Sequence, residues 1–232
     1  MGTSAKHTVE IGYATGKDIQ RHFRRWARSV GVESSPLGRI GPTLADAWAR
    51  DQLSSTLVPD LPGVLSEMIA AQGPETTICS RSIVLSARVD GRVIGGLVAR
   101  PQRWLIDGVQ PFGVQAQMQT LVRVMKLEIV TVEPEYQRRR IATTMVEYAL
   151  EVLEKAHVHL VYGSFPADRQ LGPFYRCLGF TVLKQGYGIS IDGATGAPLA
   201  IATEDDERTF ARKLGDGPDI DISHPGEAPI IR

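Results

Sequence analysis

The period of the apolar positions changes at several points along the chain, and each change predicts an element. Residues 124–132, VMKLEIVTV, are rich in β-branched side chains and read as a strand. Pro134 stops it, having no N–H to give a ladder. From about Arg138 the period lengthens, and Ile141, Met145, Tyr148, Ala149, Val152 and Leu153 fall at helical spacing. Between the two lies a polar, basic turn, residues 137–142. Upstream, residues 7–14 alternate as a first strand. A turn at 15–18 opens a helix whose Ile19, Phe23, Trp26, Ala27 and Val30 share a face. Residues 31–42 read as loop. Residues 44–57 read as a helix with Leu44, Trp48 and Leu53 inward, and 64–71 as another, ended by Gly73-Pro74. Residues 82–89 and 93–99 alternate as two strands about an Asp90-Gly91 hairpin turn. Gly95-Gly96 in the second marks a bulge or a close backbone approach.

Residues 100–120 hold Trp104, Phe112, two glycines and several glutamines. So long a connection reads as a functional loop or lid, or as a plain surface excursion. Residues 157–163 form a short strand. Gly172-Pro173 opens a short helix, which Gly179 closes in the left-handed conformation, and Phe180 begins the next strand. Asp168 reads as a helix N-cap, with a substrate contact as the alternative. Residues 181–191 read as a strand pair and 199–203 as a further strand after a turn. Residues 204–214 read as a helix with an acidic first turn, and 215–232 as a flexible tail.

Charge and composition narrow the classes. Lys and Arg number 26 against 26 Asp and Glu in 232 residues. Zero net charge argues against nucleic acid as a partner. Arg21, Arg24, Arg25 and Arg28 lie on the polar faces of the first helix. They form a solvated face, or a basic surface for an acidic or RNA substrate. Cys79 and Cys177, far apart in apolar settings, read as buried thiols rather than a disulfide. No 18-residue apolar run and no leader-like start are present, so the expectation is a cytoplasmic protein without a membrane partner. His157 and His159 share a strand face without a third ligand, so no metal is expected. There is no P-loop, HExxH, GxSxG or GxGxxG.

Arg138, Arg139 and Arg140 stand where the helix begins. Helix N-termini carry unpaired N–H groups and a positive dipole end, which favour acidic side chains. A cationic first turn makes sense where an external anion sits. The run Val-x-Pro-x-Tyr-Gln-Arg-Arg-x-Ile-Ala over residues 132–142 resembles the acetyl-CoA-binding motif of the GCN5-related N-acetyltransferase (GNAT) family, Gln/Arg-x-x-Gly-x-Gly/Ala. Gln137, Arg138, Arg139, Ile141 and Ala142 fit, and Arg140 stands where the family has Gly. Gly permits positive φ and close approach. Arg fits if the residue is already helical, and its guanidinium could itself meet phosphate. Phe174-Tyr175-x-x-x-Gly179-Phe180 resembles the family's Phe-Tyr-x-x-x-Gly-Phe segment. The two blocks lie in order, within a resemblance that spans residues 81–192.

The resemblance implies an α/β fold: a central mixed, mostly antiparallel sheet with a splayed parallel strand pair and flanking helices. It implies one domain over 1–214, with extra helices at 17–72 and an insertion at 100–120 shaping the acceptor side. It implies acetyl-CoA as co-substrate, a primary amine of a small molecule or peptide as acceptor, and direct attack in a ternary complex. Carried over by position, Val130, Thr131, Val132, Gln137, Arg138, Arg139, Arg140, Ile141, Ala142 and Thr143 bind the cofactor. Tyr175 protonates the leaving thiolate. Glu128, on the parity of Val130 and Val132, relays the amine proton or serves as a pairing residue, and Glu133 is the second choice. Dimers are frequent in the family, so a homodimer stays open. Two alternatives remain: a toxin-like enzyme acetylating aminoacyl-tRNA, and a catalytically inactive CoA-binding regulatory module.

Overall fold

A computed structural model describes residues 8–58, 71, 74–202, 204–223 and 230–231. The strands are β1 (Val9–Tyr13), β2 (Ile83–Val89), β3 (Arg92–Arg100), β4 (Val124–Val132), β5 (Leu160–Pro166), β6 (Thr181–Val182), β7 (Gly188–Ser190), β8 (Ala200–Ile201), β9 (Glu207–Lys213), β10 (Ile222–Ser223) and β11 (Ile230–Ile231). A seven-stranded sheet runs β1-β2-β3-β4-β5-β9-β6, antiparallel throughout except for the parallel pair β4–β5. A four-stranded sheet runs β10-β7-β8-β11. The helices are α1 (Gly16–Ser29), α2 (Gly41–Ala49), α3 (Pro74–Ser80), α4 (Arg103–Gly108), α5 (Val114–Arg123), α6 (Ile141–Lys155), α7 (Gly172–Cys177) and α8 (Asp192–Thr195).

Two helices sandwich the large sheet, each by the face its period predicts. Helix α1 begins in a capping box. The Thr15 hydroxyl accepts from the Asp18 N–H and the Asp18 carboxylate accepts from the Thr15 N–H. Its Ile19, Phe23, Trp26 and Ala27 pack on Val84, Val93, Val98 and Ile129. On the other face, Ile141, Met145, Val146, Ala149 and Leu153 of α6 pack on Leu85, Leu97, Met125 and Leu127. Burying each such side chain contributes about 1.5–3 kcal/mol. The close approach expected at Gly95-Gly96 is present. A Cβ on Gly96 would stand 2.5 Å from the Trp26 ring, and one on Gly95 would stand 2.7 Å from the Thr131 carbonyl oxygen.

Several expectations fail, each for a packing reason. Residues 100–120 are not a loop or lid. They form α4, a 3-10 turn at Gln110–Phe112 and α5. Leu105, Val109 and Ala116 bury against Ile189, Ile191 and Leu199 and so support the second sheet. Residues 207–213 are not helix but β9, inserted between β5 and β6. There Thr209, Phe210 and Ala211 are buried, and strand pairing outweighs the acidic helix-start signal. The helix expected over 44–57 is α2, which ends at Ala49. Leu44 is buried but Trp48 is 45% exposed, its ring covering Gly16. Pro74 is the first residue of α3, and Gly73, expected to end the preceding helix with it, lies outside the described residues. Apart from residue 71, the helix expected at 64–71 lies outside the described residues. Asp168 caps nothing, since the N-cap of α7 is Leu171 and no side chain bonds to it. Cys79 is buried, whereas Cys177 is exposed, and both are free. In the stretch expected as a tail, β10 pairs with β7 and β11 with β8.

Candidate active site

Strands β4 and β5 pair only through Val124–Leu160, Met125–Val161 and Lys126–Tyr162. Beyond Lys126 the ladder stops and the strands part. A register shift on the β3 side contributes. Val98 pairs with Ile129 and Ala99 with Leu127, so Glu128 is left as the extra residue of a bulge. The gap is a cleft of about 730 Å³. One flank is β4 from Lys126 to Val132, and the other is Ser164, Phe165 and Pro166 of β5 with Tyr175. Trp26 and Ser29 of α1 close a third side, and Gln137 and Ala142 stand at one end. From Leu127 to Val132 the β5-facing edge of β4 pairs with no strand. Its other edge holds β3 through Gly95–Val132, Gly96–Thr131 and Leu97–Val130. The Thr131 hydroxyl meets that of Ser29 at 2.7 Å, tying β4 to α1.

Beyond Val132 a 3-10 turn at Pro134–Tyr136 leads into the basic loop. The Gln137 side-chain amide donates to the Val132 carbonyl at 2.9 Å and clamps the loop to the strand end. Arg138 (φ 58°) and Arg140 (φ 64°) are both left-handed. Residue 140 is therefore not already helical, and the condition under which arginine would fit there is not met. Arg140 is the N-cap of α6 and sits in the conformation that favours glycine. Arg138 and Arg140 flank Arg139 in the left-handed region, and alternation of this kind makes backbone nests suited to anions. The N–H groups of Arg138, Arg139, Arg140, Ile141, Ala142 and Thr143 meet no acceptor among the described residues, the next donor being Thr144 to the Arg140 carbonyl. The Arg139 guanidinium rests 5.4 Å from the centre of the Tyr136 ring. None of Arg138, Arg139 and Arg140 pairs with a carboxylate among the described residues.

Glu128 and Tyr175 both line the cleft. The Glu128 side chain is 3% exposed, with Arg100 Nε 3.2 Å from its Oε2, an ion pair too poorly aligned to be a hydrogen bond. Burial pushes its pKa up, against opposing pulls from Arg100 and Lys126. Tyr175 is packed among Phe165, Phe174, Phe180 and Phe210, stacking on Phe210 at 3.7 Å. Burial raises its pKa as well, and its hydroxyl has no hydrogen-bond partner among the described residues. Glu133 is held at 2.6 Å by both Arg25 and Arg92. Sequence reasoning missed Trp26 and Lys126, which line the cleft, and Arg100 and Tyr162, which stand against its Glu128 and Lys126. The available signal was charge at the ends of apolar strands, Arg100 closing β3 and Lys126 inside β4.

Among the described residues no three His, Cys, Asp or Glu side chains gather to hold a metal. Nor is any helix there long and apolar enough to cross a membrane.

An open parallel strand pair beside a nest of free N–H groups defines a class, and the sequence comparison agrees. The chain belongs to the acetyltransferase (GNAT) family, whose pattern matches residues 48–180. Three solved structures show the same fold. A GNAT-family protein from Desulfovibrio desulfuricans superposes with a TM-score of 0.51 at 13% identity, covering 90% of this chain and 100% of its own. The GNAT acetyltransferase from Streptococcus pneumoniae gives 0.52 at 12%, with 90% and 100% covered. The yncA protein from Salmonella typhimurium, solved with acetyl-CoA, gives 0.53 at 12%, with 92% and 98% covered. No curated protein matches the sequence.

Proposed function

We propose that the protein moves an acetyl group from acetyl-CoA to a primary amine of a small molecule or peptide, by direct attack in a ternary complex. One observation carries the reading. The unpaired edge of β4 leads straight to six consecutive free N–H groups in a left-handed nest, with a carboxylate and a phenol on the walls between. The fit to acetyl-CoA is a match of needs. A diphosphate supplies the acceptors that the N–H groups of residues 138–143 lack, and the amide-bearing arm of CoA supplies groups for the open edge at Val130, Thr131 and Val132. Gln137 acts by holding the loop. Arg138 and Arg140 add charge beside the nest. Acetyl-CoA provides an activated acyl group, so the protein needs no covalent intermediate.

Glu128 accepts the amine proton. Its raised pKa makes it a stronger base than a solvated glutamate, at the cost of losing its charge earlier on acidification. Tyr175 serves the departing sulfur. A phenol raised by burial stays protonated at neutral pH. Full transfer to a thiolate of pKa about 8.5 is uphill, so its main contribution is a hydrogen bond to the developing charge. The nucleic-acid alternative loses ground, because three of the four α1 arginines hold carboxylates, Arg24 and Arg28 on Glu33 and Arg25 on Glu133, which leaves Arg21 alone without one among the described residues. Calorimetry with acetyl-CoA, followed by thiol release over a panel of amines, tests the reading. Binding without thiol release from any amine would leave the inactive module.

A further inference from the structure

The closed end of the cleft carries one positive charge too many. Lys126 and Arg100 are direct cross-strand partners on β4 and β3. Like charges placed opposite each other are destabilising, and one carboxylate, Glu128, serves them both. Arg100 Nε is 3.2 Å from Glu128 Oε2. Lys126 is half-buried, lines the cleft and has no carboxylate within ion-pair distance among the described residues. Its other neighbour is Tyr162 of β5, whose hydroxyl is buried, adds no charge and has no hydrogen-bond partner among the described residues. The remaining acidic groups of the cleft lie far off. Glu207 pairs with Pro166, four residues along β5 from Tyr162, or roughly 13 Å at strand rise. Glu133, seven residues along β4, is already held between Arg25 and Arg92. The pocket floor therefore carries Lys126 and Glu128, with Arg100 against Glu128 behind it, and the three have a net charge of plus one in a partly desolvated place.

We propose that the acceptor supplies the missing anion: it is a free amino acid, whose amine faces Glu128 and whose carboxylate pairs with Lys126. Glu128 is the bulged residue, so its Cα lies at most roughly 7 Å from that of Lys126, the span of two residues on a regular strand. That is the span of a small amino acid making one contact at each end. The inference rests on the acetyl-transfer reading above and narrows its acceptor from amines at large to those with a carboxylate close by.

The test compares free amino acids with their α-amides by thiol release from acetyl-CoA. The expected kcat/KM is higher for the acids by about tenfold or more, the usual scale for a partly buried charge pair. The bias runs the other way, because an amine beside an amide titrates lower and is more often neutral. In Lys126→Gln the acid-to-amide ratio should collapse toward one, and in Lys126→Arg it should largely return. Equal or better turnover of the amides by the unaltered protein overturns the proposal and leaves amine acetylation standing. So does a Lys126→Gln protein that loses both substrates by the same factor, since the lysine would then act on Glu128. If acetyl-CoA binds and neither set reacts, the proposal falls together with the acetyl-transfer reading.

Discussion

Two arginine clusters flank the cleft, and they differ in what their charges are doing. On α1, Arg24 and Arg28 both bind Glu33, and Arg25 shares Glu133 with Arg92. At the head of α6, Arg138, Arg139 and Arg140 meet no carboxylate, and the N–H groups around them meet no acceptor. The two runs look alike in sequence. In the first, Arg24, Arg25 and Arg28 each hold a carboxylate and Arg25 ties α1 to the β3–β4 edge, while Arg21 pairs with none among the described residues. The second holds no carboxylate at all and stands beside N–H groups without acceptors, which suits it better to an anion from outside. Available charge, more than the number of cations, marks a binding surface.

The strongest way to test this contrast lies between the clusters, at Glu128. Glu128→Gln should lower kcat by about a hundredfold or more, the scale of a lost general base. Its pH profile is as informative. Burial holds the Glu128 pKa above the ordinary carboxylate value. The charged base is therefore lost as pH falls through that raised value, and activity fails sooner on acidification than a solvated glutamate would allow. The glutamine variant should lack that acidic limb. Replacing Arg100 by Met removes a pull that lowers the same pKa, so the limb should move to higher pH. An unchanged profile in both variants would remove Glu128 as the base.

Next in size is the open cluster itself. Arg138→Glu places a like charge beside the diphosphate and should weaken acetyl-CoA binding by about tenfold or more in calorimetry. The same reversal at Arg24 should leave that affinity alone, because its charge is already met by Glu33. Equal losses at both positions would erase the distinction between the clusters. Smaller still, Tyr175→Phe should lower turnover by about tenfold with acetyl-CoA affinity kept, the worth of one hydrogen bond to a charged atom. Unaltered turnover would reduce Tyr175 to its packing on Phe210.

What was legible in the sequence was what local chemistry fixes. The strand–loop–helix from Val124 to Lys155 and the Gly172–Phe180 turn carry their own period, proline and glycine signals. The site's second half was not legible, because it is made by register. Arg100 meets Lys126 and Glu128 only through a β3–β4 ladder with a shifted residue, which no spacing within one strand reveals. The same holds for 100–120 and 207–213. Their partners lie far along the chain, and those partners turned an apparent lid into two helices and an apparent helix into β9.

The finest test concerns a residue that breaks the family pattern. Arg140 sits at φ 64°, ψ 7°, where a side chain strains the backbone and glycine does not. Arg140→Gly relieves that strain but frees the unfolded chain, and the two effects partly offset. The net result should be a gain of about 0.5–1 kcal/mol in chemical denaturation. The N–H of residue 140 remains, and so do Arg138 and the rest of the nest, so acetyl-CoA affinity should stay within about threefold. A loss of tenfold or more would mean that the guanidinium, and not the backbone it distorts, is what this protein keeps arginine for. The strain would then be a cost borne for binding.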